Sequence, residues 1–171
     1  MGKSVIPKQK LIPKKLFDRI QRSIPIATID LAVFRHAQTK RLEILLIKRR
    51  IYPEIDKWCL VGGRILKGEK FQNTLNRQTE REFGVKASVI KPWTPDKPLA
   101  VFNEPKADAQ KHFVCMVYPV TLRGKITLSS GPEWSEAKWF PVGKLPFPLG
   151  FNHKKEIGVV LSLLRRRKRK F

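Results

Sequence analysis

Apolar residues change their spacing several times along the chain, and the changes mark out the elements. Leu16, Phe17 and Ile20 stand at helical spacing after Pro13, which predicts a short helix over Leu16 to Ile20. Ile24 to Phe34 reads IPIATIDLAVF, rich in β-branched residues, and predicts a long strand. Asp30 inside that run must be paired or face a site, because an unpartnered buried carboxylate is strongly disfavoured. A polar turn from His36 to Arg41 leads into a second strand, Leu42 to Ile47 (LEILLI), and the two are expected to form a hairpin. After Lys48-Arg49-Arg50 and a loop holding Pro53 come a short apolar piece, Trp58 to Val61, and the pair Gly62-Gly63, which marks a tight backbone passage.

Lys70 to Phe83 contains no Pro or Gly, places Phe71, Leu75 and Thr79 four residues apart, and is followed by Gly84. It predicts a helix stopped by that glycine. Strands are expected at Ala87 to Ile90, Leu99 to Phe102, His112 to Thr121 and Ala137 to Phe140. A last helix is expected over Lys154 to Leu164, where Ile157, Val160, Leu161 and Leu164 form one apolar stripe. Strands before, between and after helices point to an α/β or α+β sandwich. No internal repeat is visible.

Composition narrows the class. The 171 residues carry 36 Lys+Arg against 14 Asp+Glu and are 42% hydrophobic, enough apolar content for a real core rather than a disordered body. No apolar run approaches the ~20 residues of a membrane span, and the N-terminus lacks the apolar stretch of a signal peptide, so a soluble, cytoplasmic protein is expected. Cys59 and Cys115 lie outside any CxxC spacing and read as buried thiols. The formal charge of +22 is concentrated at the ends, above all in the unbroken basic run Arg165 to Lys170. The expected organisation is a basic extension over 1–12, one domain over 13–164 and a basic tail over 165–171. The body is still basic without its ends, which favours an anionic partner such as a nucleotide, polyphosphate or nucleic acid.

The chemistry is concentrated in Gly63-x5-Glu69-x7-Arg77-x4-Glu82-x-Gly84-Val85. A glycine turn leaves backbone carbonyls accessible, and the helix after it places Gln78, Arg81 and Glu82 on adjacent faces, so Glu82 can point back at the turn. A carboxylate and a carbonyl are hard oxygen ligands suited to Mg²⁺, which usually completes its octahedron with water and substrate phosphates. Arg77 can pair with Glu69 or reach the substrate.

This segment resembles the Nudix hydrolases, whose signature is Gly-x5-Glu-x7-Arg-Glu-aliphatic-x-Glu-Glu-x-Gly-aliphatic. Gly63, Glu69, Arg77, Glu82, Gly84 and Val85 match it, whereas Gln78, Thr79 and Arg81 depart from it. A divergent box with Thr at position 79 and only the second glutamate of the usual pair is similar to that of the GDP-mannose mannosyl hydrolase branch. Ser23-Ile-Pro-Ile-Ala-Thr-Ile-Asp30, Leu45-Leu-Ile-Lys-Arg49, Pro53 with Trp58, Gly62-Gly-Arg64 and His112 look like that branch in the same order. The resemblance spans roughly residues 13 to 141 and implies an α/β/α sandwich with a mixed sheet between helices. It further implies attack at the anomeric carbon of a nucleotide sugar and release of nucleoside diphosphate. Mg²⁺, or Mn²⁺ in its place, would be bound by Gly63 and Glu82, with Arg49, Arg64 and Arg77 complementing the diphosphate and Asp30 lying near the sugar or base.

In that branch a Gln-His pair before the late strand supplies a metal ligand and the general base. Aligned on Trp139, this chain has Glu133 and Trp134 there; Glu133 can replace a ligand, but Trp134 cannot accept a proton. His112, His153, Glu136 and Asp30 are then the candidate bases, with His112 taken as the catalytic one. Phe113 stands where the branch has Tyr. The expected partners are the nucleotide-sugar substrate, nucleic acid held non-specifically by the basic tail, and a second copy of the chain. A reading from another class is an RNA- or ribonucleoprotein-binding protein on the same fold with a residual hydrolytic site.

Overall fold

The computed structural model of the protein describes residues 12–168, apart from 109, 110, 127, 129, 130 and 132. In chain order the elements are α1 (Lys14–Ser23), β1 (Ile26–His36), β2 (Leu42–Arg49), β3 (Trp58–Cys59), β4 (Val61–Arg64), α2 (Phe71–Phe83), β5 (Lys86–Val89), β6 (Ala100–Asp108), β7 (Lys111–Arg123), β8 (Trp134–Pro141) and α3 (His153–Lys168).

β1 organises the sheet. Successive side chains of a strand point to opposite faces, so Ile29, Leu31 and Val33 bury on one side and Ala32 and Phe34 on the other. A strand covered on both faces reads as a near-continuous apolar run. One edge of β1 pairs in parallel with β7, from Ile26 beside Phe113 to Val33 beside Val120. The other edge has two antiparallel partners in succession, β4 beside Thr28 to Leu31 and β2 beside Val33 to His36. The β1–β2 pairing is the expected hairpin. Beyond its pairing with β1, β2 takes β3 beside Ile47 and Lys48, while β8 runs along it from Glu43 to Arg49, so the sheet forks beyond Leu31.

Each face of the sheet has its own core. Leu75 and Phe83 of α2 pack with Leu31, Val33, Leu45, Tyr118 and Trp134 on one side. Ile157 and Val160 of α3 pack with Ala32, Leu46, Leu60 and Val117 on the other. The result is an α+β sandwich with a mixed sheet between helices, as the alternation of elements requires. α2 ends at Gly84, whose φ of 71° lies in the left-handed region that glycine adopts without strain.

Two boundaries differ from expectation. α1 spans Lys14–Ser23, longer at both ends than Leu16 to Ile20. α3 runs on to Lys168, past the expected boundary at 164, because Arg and Lys are good helix formers and the apolar stripe gives way to charge without a break. Residues 1–11 and 169–171, which hold most of the expected N-terminal extension and the end of the tail, lie outside the described residues. Among the described residues no helix is long and apolar enough to cross a membrane.

Candidate functional site

A cleft of about 330 Å³ lies in the fork between β2 and β4. Thr28 and Asp30 of β1, Arg49 at the end of β2, Gly62, Gly63 and Arg64 of β4, and Gln78, Arg81 and Glu82 of α2 line it. α1 closes one wall with Phe17, whose ring lies 3.8 Å from the guanidinium of Arg64. Burial first, and then the nearby Arg77 cation, hold the Arg64 guanidinium below its ordinary pKa, so this wall carries positive charge that an anion would relieve. Arg49 is only 14% exposed; its Nε donates to the Pro53 carbonyl at 2.8 Å, and its guanidinium lies 5.4 Å from the Phe151 ring.

Arg77 resolves the two alternatives left open by the spacing. Its Nε donates to Glu69 Oε1 at 2.6 Å, and Nη2 donates to Glu69 Oε2 and to the Arg64 carbonyl, both at 2.8 Å. The guanidinium is therefore engaged in tying the loop before α2 to the end of β4, a positioning task rather than the catalytic one expected of it. Glu69 also accepts from the Leu66 amide and the Thr74 hydroxyl. Burial opposes its ionisation, and the bonds from Arg77, Leu66 and Thr74 outweigh that, so its pKa is lowered. Gln78, 2% exposed, turns its amide nitrogen to the Gly62 carbonyl and its oxygen to Arg77 Nη1, both at 3.2 Å. A Cβ on Gly63 would lie 2.3 Å from the end of that amide, which is why the chain has glycine there.

Of the expected metal ligands, Glu82 is occupied by protein donors. Glu82, on the helix face turned to the glycine passage, has a side chain 2% exposed. Its Oε2 accepts the indole N–H of the buried Trp134 at 2.6 Å. Its Oε1 receives Arg81 Nε at 2.6 Å and Nη2 at 2.5 Å. Glu133 is held between two guanidiniums, with Oε1 3.6 Å from Arg81 Nη1 and Oε2 4.0 Å from Arg49 Nη1. Mg²⁺ needs oxygen lone pairs in an octahedral arrangement, and this donor set does not supply them without expelling Arg81. Gly63, Glu82 and Glu133 are thus brought to one end of the cleft, where Glu82 as arranged offers the expected ion no free oxygen.

The floor of the cleft is a second polar group, built where β1, β7 and α3 meet. Cys115 donates its S–H to Asp30 Oδ2 at 2.9 Å, and His153 Nε2 stands 3.5 Å from the same oxygen. The Leu60 amide donates to His153 Nδ1 at 3.0 Å, which requires a lone pair there and so fixes the neutral ring with its proton on Nε2, facing Asp30. Asp30 and Glu156 raise the ring's affinity for a proton against the effect of burial, but a second proton would have to break the Leu60 bond. Burial also opposes ionisation of Asp30, and the hydrogen bonds of His153, Cys115 and Glu156 outweigh it, so this carboxylate stays charged. Glu156 is pushed up to about 8 by burial and then by the Asp30 charge, and holds its proton at neutral pH. The ligand atoms of Asp30, Cys115 and Glu156 lie within 4.8 Å of one another. A protonated thiol and a protonated carboxyl are poor metal ligands, and both are better described as donors around Asp30.

His112 is not part of the cleft. Along β7 it is Lys111, Phe113 and Cys115 that line the cavity, and strand alternation sends His112 to the opposite face, where its Nε2 meets Asn103 Oδ1 at 2.5 Å. Glu136 pairs with Lys138 instead. His153, one of the candidate bases, is the first residue of α3 and lines the cleft. Asn152 beside it donates Nδ2 to Glu104 Oε2 at 2.6 Å. Glu156, Cys115 and Arg81 are site residues that sequence reasoning misses. The helical offset from His153 to Glu156 is a signal that could have found one of them, whereas the contact of Cys115 with Asp30 depends on parallel pairing of β1 and β7 across 85 residues.

Comparison with known proteins places this geometry. A family model described as the NUDIX domain matches residues 27–159. The chain is 28% identical over 115 residues to a Bacillus subtilis (strain 168) protein provisionally named an 8-oxo-dGTP diphosphatase, covering 67% of this chain and 68% of that one. It is 30% identical over 115 residues to the ADP-ribose pyrophosphatase of Methanocaldococcus jannaschii, covering 67% and 63%. The crystal structure of a MutT NUDIX hydrolase from Burkholderia pseudomallei superposes with a TM-score of 0.65 at 25% identity, covering 81% of this chain and 99% of that one.

Proposed function

The chain belongs to the NUDIX domain family and is a Nudix hydrolase, and from that premise we propose that it hydrolyses a nucleotide sugar, releasing nucleoside diphosphate and the sugar. The observation that carries this reading is the division of the cleft into two chemically different ends. One end presents Arg49 and Arg64, partly buried guanidiniums suited to diphosphate oxygens. The other presents the ionised Asp30 with His153 fixed against it, a pair that can hold hydroxyl groups or a water beside the sugar.

Catalysis is then stabilisation of the departing diphosphate by fixed positive charge, with Asp30 orienting the attacking water. Trp134, at the place where the resembling branch has its base, is buried against Glu82 and takes no part in proton transfer. Nudix hydrolases generally use divalent metals. As arranged, Glu82 offers such an ion no free oxygen, so the charge of the departing diphosphate falls to the arginines. The named relatives act on 8-oxo-dGTP and ADP-ribose, of which ADP-ribose shares the sugar–diphosphate–nucleoside build proposed for this substrate. GDP-mannose belongs to the same substrate class.

The test is incubation with ADP-ribose, GDP-mannose and UDP-sugars in ¹⁸O-labelled water, with products separated by chromatography and weighed by mass spectrometry. Nucleoside diphosphate with the label on the sugar supports the proposal. Nucleoside monophosphate with label on phosphorus would return the protein to phosphorus-attacking hydrolases, and no product from any nucleotide sugar would end the reading.

A second reading, association with nucleic acid, is favoured by one observation. α3 carries its basic run into solvent at Arg165 and Arg166, both exposed and outside the cleft.

A further inference from the structure

We propose that the guanidinium of Arg81 stands in for a divalent ion in this cleft, so that the substrate's diphosphate is bound by protein cations alone. The proposal rests on the nucleotide-sugar reading and adds how the charge of the leaving group is met.

The first argument is position. Arg81 places two N–H groups, from Nε and Nη2, on Glu82 Oε1 and brings Nη1 to 3.6 Å from Glu133 Oε1. A permanent cation thus lies between the two carboxylates that the spacing had assigned to a metal. An arginine keeps its charge at any accessible pH, so this cation does not leave by losing a proton.

The second argument is that the remaining oxygen is sealed. The Trp134 indole can only donate, and its N–H points at Glu82 Oε2. The ring is fixed there because Gly131 has no side chain; a Cβ at that position would lie 2.1 Å from the indole nitrogen. A positive N–H edge aimed at the carboxylate repels an approaching cation.

The third argument is charge. Measured against the Nudix signature, Gln78 in place of Glu adds one positive unit, and Arg81 in place of Glu adds two. The box has therefore gained more positive charge than a divalent ion would bring. At this end of the cleft Arg49, Arg64, Arg77 and Arg81 face Glu69, Glu82 and Glu133, which leaves a positive excess with no ion added. Such a surface attracts a diphosphate and repels a free metal ion. Gln78 meanwhile donates to the Gly62 carbonyl, so the glycine passage beside it is already engaged by a neutral amide. With Nε and Nη2 on Glu82, Arg81 offers a phosphate oxygen its charge and the N–H groups of Nη1.

The experiment measures binding of ADP by isothermal titration calorimetry to the full chain, in EDTA and in Mg²⁺, together with Mn²⁺ binding by electron paramagnetic resonance. The parent protein is expected to bind ADP equally well in both buffers and to leave the Mn²⁺ signal unchanged. Arg81 is 41% exposed, so its replacement leaves the core intact, which a thermal melt checks. Arg81→Gln is expected to weaken ADP binding in EDTA about ten-fold, the loss of one charge-assisted pair. Arg81→Glu is expected to create Mn²⁺ binding and make ADP affinity depend on Mg²⁺. ADP binding by the parent only when Mg²⁺ is present, strong Mn²⁺ binding by the parent, or unaltered ADP affinity in Arg81→Gln would each overturn the proposal while leaving the hydrolase reading intact. No ADP binding in either buffer would overturn both.

Discussion

Trp134 donates its indole N–H to Glu82 Oε2 at 2.6 Å, joining the start of β8 to the end of α2 across 52 residues. Both side chains are buried, so the bond has no water to replace it. Trp134→Phe keeps most of the ring and strands a buried carboxylate oxygen, at an expected cost of about 1–3 kcal/mol. Urea unfolding checks this, and an unchanged midpoint with unchanged slope would show that Glu82 is satisfied in some other way.

The Glu69–Arg77 pair predicts acid sensitivity. The folded pKa of Glu69 lies below its ordinary 4.5, so the stability it contributes is fully present above that value and is lost as pH falls through the lower folded value. Arg77→Ala should remove this contribution and move acid unfolding to higher pH, followed by circular dichroism. Arg77→Lys should recover only part, because one ammonium cannot reproduce the bidentate contact with Glu69.

Glu156 works in the opposite sense. Its folded pKa of about 8 lies above the ordinary 4.5, so the folded state holds a proton that the unfolded chain gives up, and stability falls as pH rises between these values. Asp30 on β1, Cys115 on β7, Glu104 on β6 and His153 on α3 set this environment. Glu156→Gln cannot ionise and should flatten the decline in melting temperature across that range. A decline as steep as the parent's would place its cause elsewhere.

At Gly63 the prediction is steric. Gly63→Ala drives a methyl into the buried Gln78 amide and should cost about 1–3 kcal/mol, as overpacking does. Gln78→Ala in the same chain should recover much of that loss, because the two positions share one space. Additive losses in the double variant would exclude the contact as the reason for the glycine.

For the basic end of α3, removal of residues 165–171 should weaken RNA or DNA binding and make it less sensitive to salt. The log–log slope should fall by ~0.7 to 0.9 for each phosphate the tail no longer neutralises. Nucleotide-sugar hydrolysis should be unchanged, since Arg165 and Arg166 do not line the cleft. Filter binding across a salt series decides it, and full affinity in the shortened chain would remove the nucleic-acid reading.

The sequence is most informative where local pattern decides the outcome. The apolar run of β1, the helix ended by Gly84 and the clustering of Gly63, Arg64 and Glu82 all follow from spacing within about twenty residues or fewer. What spacing does not show is which donors reach Glu82. Arg81 is adjacent in sequence, but its turn toward Glu82 depends on Trp134 and Glu133 approaching from a distant strand. His112 is misplaced for a related reason. It does belong to a strand, but the face it takes is set by the register of β7 against β1 and β6. Asp30 is readable as a residue needing partners, and those partners come from β7 and α3.

The Leu60 amide has its acceptor on His153, 93 residues later. During synthesis, β1, β4 and α2 leave the ribosome well before α3 does, and N-terminal segments begin to organise first. Until α3 docks, Leu60 lacks its acceptor and Asp30 faces water instead of an imidazole. The arginine end waits for Glu133 and Trp134, and the floor waits for the last helix. The contact that orients His153 therefore cannot form until the residues that begin α3 are in place.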